Sequence, residues 1–588
     1  MKRTTSIRAL TISALLALAA ACGGAPTTDD GGGSPTDGTL TVTPAQSEHV
    51  ILNGVRPTQD YTATLTHLDG TTEDVTADVF FSVDGNVGGF AGAQLTMVAP
   101  GKGTITAAYA DHTAAAAVIV SLRDVRVGAG VDPGAPGLFG GGPEDPARAP
   151  SVVYPAEGVQ VPRNLGDFEV HWTDGSSNDV YELSLTSELT DVRVYLRGGN
   201  GAGGGPNPTY AAFTAQEWAD AVGSHGSVQY QVRGVDSANP SAGIGSAAPR
   251  IVKVTNEALE GGIYYWAAKS TTGTSPEGIW RHDMAKPGEP AEKFYTREES
   301  SGRCVACHVL SRDGTKMALT WDGGSGAATV MDVASRTPMA DLPGWDFGTF
   351  SPDATRFLGV QNAVITVYNT ADMSSMGAMP VDVAGTQVSH PDLSPDGSRL
   401  VYSHLASGGD IFYNGGTLWT RSYDAVTNAF GPETPLVADG AAGANNYYPS
   451  FSPDGEWVLF NRSETGSAYN NPGASMWIVK ADGSAPPIQL AAANAQPGLA
   501  NSWGRWAPFV QTIGVANEPI FWITVSSQRD FGVRLVGLRQ PQIWMTPCYP
   551  ERASAGQDPS APAFRLPFQN IETSNHIAQW TERVVVLQ

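Results

Sequence analysis

FSPDGEWVLF, residues 451–460, is the stretch that decides the fold of this chain. An apolar residue precedes a Ser-Pro-Asp-Gly turn, and a strand-like apolar run follows it. Pro and Asp initiate a tight turn, and Gly accepts the positive φ that a hairpin requires. The stretch therefore predicts two antiparallel strands joined by a short turn.

The same pattern occurs four times, which makes it a structural repeat. The other turns read SRDG from Ser311, SPDA from Ser351 and SPDG from Ser394, each after an apolar residue. Each hairpin is followed by a further apolar strand. A single blade of this kind cannot bury both faces, whereas blades stacked around a ring can. The repeat resembles the blades of TolB-type β-propellers, and the resemblance runs from residue 261 to residue 588.

Partial strand sets at both ends of this region indicate how the ring closes. Residues 505–509, 520–524 and 543–545 form a degenerate fifth copy. Residues 263–266 and 279–283 look like the second and third strands of a blade that lacks a first strand, and residues 575–580 look like a first strand. Joining them predicts six blades, one of them built from both ends; five or seven blades remain alternatives.

The region before the propeller alternates apolar and polar residues with a period of two, as β-strands do. Residues 69–84 and 95–120 make the segment 39–127 similar to bacterial immunoglobulin-like domains of surface proteins. Residues 128–150 are a Gly/Pro-rich linker, and residues 151–260 resemble a fibronectin type III sandwich with one short helix from Thr214 to Ala221. The predicted fold class is all-β: two β-sandwich domains followed by a C-terminal propeller.

The N-terminus carries the signals of an exported, lipid-anchored protein. Residues 1–21 combine three basic residues with an apolar run, as secretion signals do, and LAAACG at 18–23 resembles a bacterial lipobox, with Ala19 in place of the usual Leu. In that family Cys22 would be the acylated residue. An ordinary cleaved signal is the alternative. Residues 22–38 form a flexible tether, so the expected location is the cell envelope, with the membrane as a partner.

Composition excludes one class of partner. The chain has 588 residues, 68 Gly, 41 Pro and a formal net charge of −23. Because nucleic-acid binding requires basic surface, nucleic acid is excluded as a partner. The motifs of serine hydrolases, zinc proteases and P-loop enzymes are absent from the sequence, so whether the protein is an enzyme stays open.

The sharpest chemical signal is Cys304-Val-Ala-Cys307-His308, a C-x-x-C-H. In an exported protein this spacing predicts one covalently bound c-type haem, with both thiols attached to the porphyrin and His308 bound to the iron. A disulfide or dithiol and a zinc site are the alternatives; zinc would need two further ligands. Aligned on the repeat, Cys307 matches Tyr448 and His308 matches Pro449, which places the motif in the innermost strand of a blade.

Elimination among the ten His residues shortens the list of candidates for the second axial ligand of the iron. His576 and His390 align with innermost strands, and His576 belongs to the blade beside that of His308, so His576 is the first candidate and His390 the second. Met284, Met317 or an iron with a free axial position are the alternatives.

The predicted function is electron transfer, alone or as the haem subunit of an envelope redox complex. A propeller that binds a protein or envelope polymer, with a structural Cys pair, and an open-haem enzyme are the competing hypotheses.

Overall fold

The computed structural model describes residues 38–223, 225–268, 273, 276–438, 444–495 and 498–587. These residues form an all-β chain in which two sandwiches precede a propeller, so the predicted fold class is confirmed. Two short α-helices occur in the described residues, Ala215–Val222 and Pro550–Ser554. Within that part of the chain, no helix has the length and apolar character needed to cross a membrane. The signal peptide and Cys22 lie outside the described residues.

The propeller consists of six antiparallel sheets within the described residues, which we call blades 1 to 6. The strands of each blade are given from the inside outwards. Blades 1 and 2 consist of Asn575–Thr581, Gly262–Ala267, Gly278–Asp283 and Glu292–Thr296, and of Val305–Leu310, Lys316–Trp321, Ala328–Asp332 and Thr337–Leu342. Blades 3 and 4 consist of Phe347–Phe350, Arg356–Gln361, Val364–Asn369 and Ser375–Ala378, and of Gln387–Leu393, Arg399–Leu405, Thr417–Asp424 and Thr434–Val437, with Ala429–Phe430 beside the third strand of blade 4. Blades 5 and 6 consist of Asn445–Phe451, Trp457–Ser463, Ser475–Lys480 and Ile488–Gln489, and of Ser502–Ile513, Glu518–Ser527, Gln542–Cys548 and Phe564–Arg565. A small hairpin, Ser407–Gly408 with Tyr413–Asn414, extends blade 4.

Blade 1 is assembled from both ends of the propeller, as the partial strand sets predict. The strand Asn575–Thr581 pairs antiparallel with Gly262–Ala267, with Trp266 opposite His576 and Gly262 opposite Thr581. This pairing closes the ring because the N-terminal part of blade 1 has no inner strand of its own.

The repeated Ser-Pro-Asp-Gly turns share one hydrogen-bond pattern. In each copy the Ser hydroxyl donates to the Asp two residues later at 2.5–2.6 Å, and the strand that follows donates a backbone N–H back to the same hydroxyl. The fourth turn residue has φ between +55° and +74°, which Gly tolerates and Ala354 adopts under strain. Local sequence therefore fixes these turns.

The first sandwich is built from ten strands and one 3-10 helix. The strands are Gly38–Thr43, Gln46–Leu52, Thr58–Asp60, Thr62–His67, Thr72–Asp74, Phe80–Val83, Gly88–Ala91, Gln94–Met97, Gly101–Tyr109 and His112–Val127, and the 3-10 helix is Thr76–Asp78. Alternate residues point inwards: Leu40 and Val42, Ala63 and Leu65, and Ile105 and Ala107 are buried. The period of two in the sequence thus reflects a half-buried sheet.

The second sandwich shares a sheet with the first. Its strands are Ser151–Tyr154, Gln160–Val161, Phe168–Thr173, Val180–Thr186, Thr190–Arg197, Thr209–Phe213, Ser227–Val235, Gly245–Ser246 and Arg250–Val254. The long strand His112–Val127 leaves the first sandwich and pairs in parallel with Thr190–Arg197 of the second, which covers an apolar edge containing Val192 and Val194. The helix predicted from Thr214 forms, with Thr214 and Glu217 as a capping box.

Residues 128–150, whose composition predicts a linker, lie against the second sandwich. They contain the 3-10 helices Ala135–Phe139 and Pro146–Arg148, and Pro240–Ala242 forms another in the loop opposite. Val131, Ala135 and Phe139 are buried against a cluster of residues of the second sandwich: Val180, Tyr195, Val235 and Ile244. Gly and Pro allow the chain to turn here, but the scattered apolar side chains give the segment a defined position.

Candidate functional site

A ring of six side chains, one from each blade, lines a cavity of about 240 Å³ at one mouth of the central channel. Each lies at the same place in its innermost strand, four residues before the Ser of the turn where that turn is present. In blade order from blade 1 the six residues, which we call the inner ring, are Ile577, Cys307, Phe347, His390, Tyr448 and Trp503. Cys307 and Tyr448, which are aligned in the sequence repeat, thus occupy equivalent positions in their blades.

The inner ring sits where strand pairing is irregular. In every blade except blade 3 the register of the innermost strand shifts at this point, as it does in a β-bulge. His390, Tyr448, Trp503 and Ile577 have φ between +49° and +59°. Left-handed φ is uncommon for bulky side chains and costs of order 1–3 kcal/mol per residue. The repeated strain and the shared cavity make this level of the propeller the candidate functional site.

A second level lies two residues further along each innermost strand. It consists of Gln579, Val309, Thr349, Asp392, Ser450 and Arg505, which also line a cavity at the opposite mouth. Asp392 is half-buried, accepts a hydrogen bond from the Phe451 N–H at 2.8 Å, and has its pKa raised to about 6 by desolvation, an effect opposed by the charge of Arg505. Asp392 and Arg505 therefore form a half-buried pair of opposite charge within the channel.

Cys307 and Cys304 differ in their surroundings. Cys307 lines the cavity, and burial, followed by the charge of Asp346, raises the pKa of its thiol to about 11. Cys304 precedes the strand, is partly exposed and is absent from the residues that line the cavity; its N–H donates to Asp322 at 3.3 Å. Burial and the neighbouring Glu277 raise the pKa of Cys304. Both residues are free thiols, as is the buried Cys548.

His308 is 1% exposed and lies between blades 1 and 2. Its Nε2 is 3.4 Å from the carbonyl oxygen of Tyr264, and within the described residues its buried Nδ1 has no hydrogen-bond partner. Burial, together with the smaller effect of the nearby His576, lowers the pKa of His308 to about 4. The imidazole is therefore neutral at physiological pH, which is the form that binds metal ions. The Trp266 indole N–H donates to the Val305 carbonyl at 2.7 Å and fixes this strand against blade 1.

The structure brings the first candidate for the second axial ligand close to His308. His576 lies in the neighbouring blade, and its ring centroid is 5.1 Å from that of Trp266 and 5.9 Å from that of Trp503. Burial lowers its pKa to about 4. His576 is adjacent to the inner ring in sequence but does not itself line the cavity.

His390, the second candidate, is a member of the inner ring and lies two blades away from Cys307. Its Nδ1 is 2.8 Å from the Tyr413 hydroxyl, and its buried Nε2 lacks a partner among the described residues. Burial holds the pKa of His390 well below its usual range. Met284 and Met317 are buried in apolar clusters, and neither lines the cavity.

Sequence reasoning missed several residues that line the cavity. Trp345, Asp346 and Phe347 belong to blade 3, and Trp503 belongs to blade 6. Phe347 could have been found, because it stands four residues before Ser351 as Cys307 stands before Ser311. Trp503 could not, because no Ser-Pro-Asp-Gly turn follows it. Groups of three or more His, Cys, Asp or Glu side chains able to hold a metal ion by themselves do not occur in the described part of the chain.

Comparison with known proteins finds only distant structural neighbours. No protein-family model and no curated protein matches the chain. Among solved structures, the chain is similar to a TolB from Agrobacterium tumefaciens, with a TM-score of 0.31 and 13% identity over 53% of this chain and 89% of that one. It is also similar to the Cps50 (Swd1) β-propeller domain of Myceliophteria thermophila, with a TM-score of 0.29 and 12% identity over 53% and 89%. A third neighbour is the dihydro-haem d1 dehydrogenase NirN, with a TM-score of 0.29 and 14% identity over 49% and 59%.

Proposed function

We propose that this protein is an envelope lipoprotein whose propeller carries one c-type haem, attached through Cys304 and Cys307 with His308 bound to the iron, and that it transfers electrons. The observation that carries the proposal is the set of side chains at the start of the strand Val305–Leu310. Two free thiols stand at C-x-x-C spacing, followed by a neutral imidazole with a buried nitrogen that lacks a partner within the described residues.

The donor set fits a covalently bound haem. Neutral imidazole is the ligating form of His, and thiols are the groups that add to the porphyrin. The bound haem would supply one-electron chemistry between Fe(II) and Fe(III), at a potential tuned by the second axial ligand and by burial. The residues of this chain would set that burial: Tyr264 and Trp266 from blade 1 cover His308 and hold its strand in place.

His576 is our first choice for the second axial ligand, and His390 our second. His576 is supported by its place beside His308 in the adjoining blade. His390 is supported by an Nε2 that faces no donor or acceptor among the described residues. An iron with both axial positions occupied by protein ligands favours electron transfer, whereas an iron with one axial position free binds external ligands.

The remainder of the chain would hold the propeller at the membrane. Lipidation of Cys22 would anchor the N-terminus, residues 22–38 would form the tether, and the two sandwiches, similar to immunoglobulin-like and fibronectin type III domains, would form a stalk. A redox or protein partner in the envelope would exchange electrons with the propeller. The net charge of −23 suits a partner with a basic surface.

The haem is tested by producing the mature chain together with a haem-maturation system and recording oxidised and reduced absorption spectra. We expect covalent haem absorption, its loss in Cys304→Ala and Cys307→Ala, and its retention in Cys548→Ala, the matched removal of a thiol elsewhere. We expect His576→Ala, rather than His390→Ala, to change the low-spin spectrum. Absence of covalent haem from the wild-type chain would overturn the proposal.

A second candidate function is a binding module in which the Cys pair is structural. It is favoured by the position of Cys304 outside the cavity lining and by a cavity of about 240 Å³, below the ~300–1,000 Å³ of typical ligand pockets. The same spectra separate the two functions. If haem is present, a spectrum that carbon monoxide and cyanide leave unchanged excludes an open-haem enzyme.

A further inference from the structure

The floor of the cavity is formed by the second level of the innermost strands, and two of its polar side chains face the cavity. Arg505 of blade 6 and Gln579 of blade 1 line both this cavity and the cavity at the opposite mouth. Blades 6 and 1 adjoin each other, since the Ile577 N–H of blade 1 donates to the Ser526 hydroxyl of blade 6 at 3.2 Å. Arg505 and Gln579 are therefore neighbours at one level of the channel.

Both side chains have hydrogen-bond donors that the rest of the chain does not use. Gln579 is 8% exposed, and its amide group makes no hydrogen bond within the described residues. The Nη1 of Arg505 donates to the Gly504 carbonyl at 3.2 Å, whereas its Nε and Nη2 have no acceptor among the described residues. More than nine in ten buried polar groups in proteins are hydrogen-bonded. These unused donors therefore indicate that an acceptor group binds at the floor of the cavity.

The charge of Arg505 has no carboxylate in direct contact. Asp392 lies at the same level, and its charge acts on Arg505, but Arg505 forms no salt bridge within the described residues. The oxygens of Asp392 instead accept hydrogen bonds from the Phe451 N–H at 2.8 Å and from the Thr349 hydroxyl at 3.4 Å. A charge removed from water without a direct partner is costly. An anion in contact with Arg505 would therefore be stabilised.

Negative charge lies on the opposite side of the cavity. Asp346 lines the cavity at the start of blade 3, which stands across the ring of six from blade 6. One of its oxygens accepts a hydrogen bond from the Ser325 hydroxyl at 2.5 Å, and the carboxyl group of Asp410 lies beside it. Like charges repel and opposite charges attract. The carboxylates of a bound molecule are therefore directed towards Arg505 and away from Asp346.

We propose that Arg505 and Gln579 bind a propionate group of the haem, and that Arg505 thereby raises the reduction potential of the iron. The assignment rests on the proposed function, because the propionates belong to the haem that Cys304 and Cys307 would attach. A guanidinium group matches a carboxylate with two parallel N–H···O bonds, and the Gln579 amide supplies a further N–H donor. A positive charge beside the porphyrin stabilises Fe(II) relative to Fe(III), because reduction of the iron adds negative charge.

The test measures the midpoint potential and the resonance Raman spectrum of the whole haem-loaded chain. The bending band of a haem propionate in that spectrum responds to hydrogen bonds at the carboxylate. We expect Arg505→Gln to shift this band and to lower the potential by at least a tenfold change in the Fe(II)/Fe(III) equilibrium, which is about 59 mV for one electron. Gln579→Leu should shift the band with a smaller change in potential. Arg539→Gln, at an exposed position of blade 6, should leave both unchanged.

An unchanged propionate band in Arg505→Gln would overturn the proposal, even if the potential falls, because the charge would then act on the iron without contact to the propionate. Should Arg505→Gln not fold or not take up haem, the band of Gln579→Leu provides the decision, and an unchanged band overturns the proposal. Absence of covalent haem from the wild-type chain would overturn the proposed function and this assignment together. Haem-loaded wild type with unaltered variants would overturn the assignment alone, so the two failures are distinguishable.

Discussion

The position of a residue within the repeat determines whether its side chain lines the cavity. Cys307, Phe347, His390 and Tyr448 are four different residue types, yet each stands four residues before the Ser of its turn and lines the same cavity. Propellers keep blade geometry through the turns and outer strands, so the inner ring is free to differ from blade to blade. The C-x-x-C-H motif occupies one of these variable positions.

Burial makes His282 sensitive to acid. Its ring stacks on Phe568 at 4.1 Å, and burial lowers its pKa from 6.5 to about 4. Because the unfolded imidazole takes up a proton below pH 6.5 and the folded one only near pH 4, the stability this group contributes is present above pH 6.5 and lost as pH falls through 4. The loss is roughly 3 kcal/mol.

His282→Phe keeps the stacked ring and removes the proton. We therefore expect the free energy of unfolding of this variant to fall less between pH 7 and pH 4 than that of the wild type, by roughly 3 kcal/mol. Urea unfolding at a series of pH values measures the difference. Parallel pH profiles for the two proteins would show that His282 is not responsible.

At the scale of elements, the C-terminal strand Asn575–Thr581 completes the ring. Trp580 is buried against the central core, and its indole N–H donates to the Thr524 hydroxyl of blade 6 at 3.0 Å. The strand therefore supplies the inner edge of blade 1 and also seals it against blade 6. An open propeller would expose two sheet edges and the apolar faces between them.

Trp580→Ala should destabilise the protein by about 3–5 kcal/mol, the usual loss for a buried Trp. Val586→Ala, at a position 84% exposed beyond the strand, should change stability by less than about 0.5 kcal/mol. Urea unfolding followed by tryptophan fluorescence and circular dichroism measures both. A loss below 1 kcal/mol in Trp580→Ala would mean that the ring does not depend on this closure.

At the scale of the molecule, the second sandwich is packed onto the propeller. Glu169 accepts hydrogen bonds from Arg534 at 2.9 and 3.1 Å and lies 2.9 Å from His171, whose Nδ1 accepts from the Val533 N–H at 3.3 Å. The loop 198–206, whose sequence suggests no role, joins this contact through Ala202, which donates to the Val533 carbonyl at 3.0 Å. The second sandwich and the propeller therefore have a defined relative position.

Removing Arg534 tests this contact. Because Glu169 is largely buried, Arg534→Ala should destabilise the protein by about 1–2 kcal/mol, and a double-mutant cycle with Glu169→Gln should give a coupling of about 1 kcal/mol. The exposed pair Lys102–Glu188 is the control, and Lys102→Ala should have almost no effect. Additive losses in the cycle would contradict the assigned contact.

The sequence by itself determined the propeller, its closure and the place of the C-x-x-C-H motif in an innermost strand, because turn chemistry and strand alternation are local and repeat along the chain. Only the tertiary structure decided which side chains meet. Trp503 and Ile577 join the inner ring without a Ser-Pro-Asp-Gly turn to identify them, Asp410 comes beside Asp346 across 64 residues, and the two sandwiches share a sheet. Such contacts depend on the closing of the ring and the packing of distant surfaces, for which no local pattern exists.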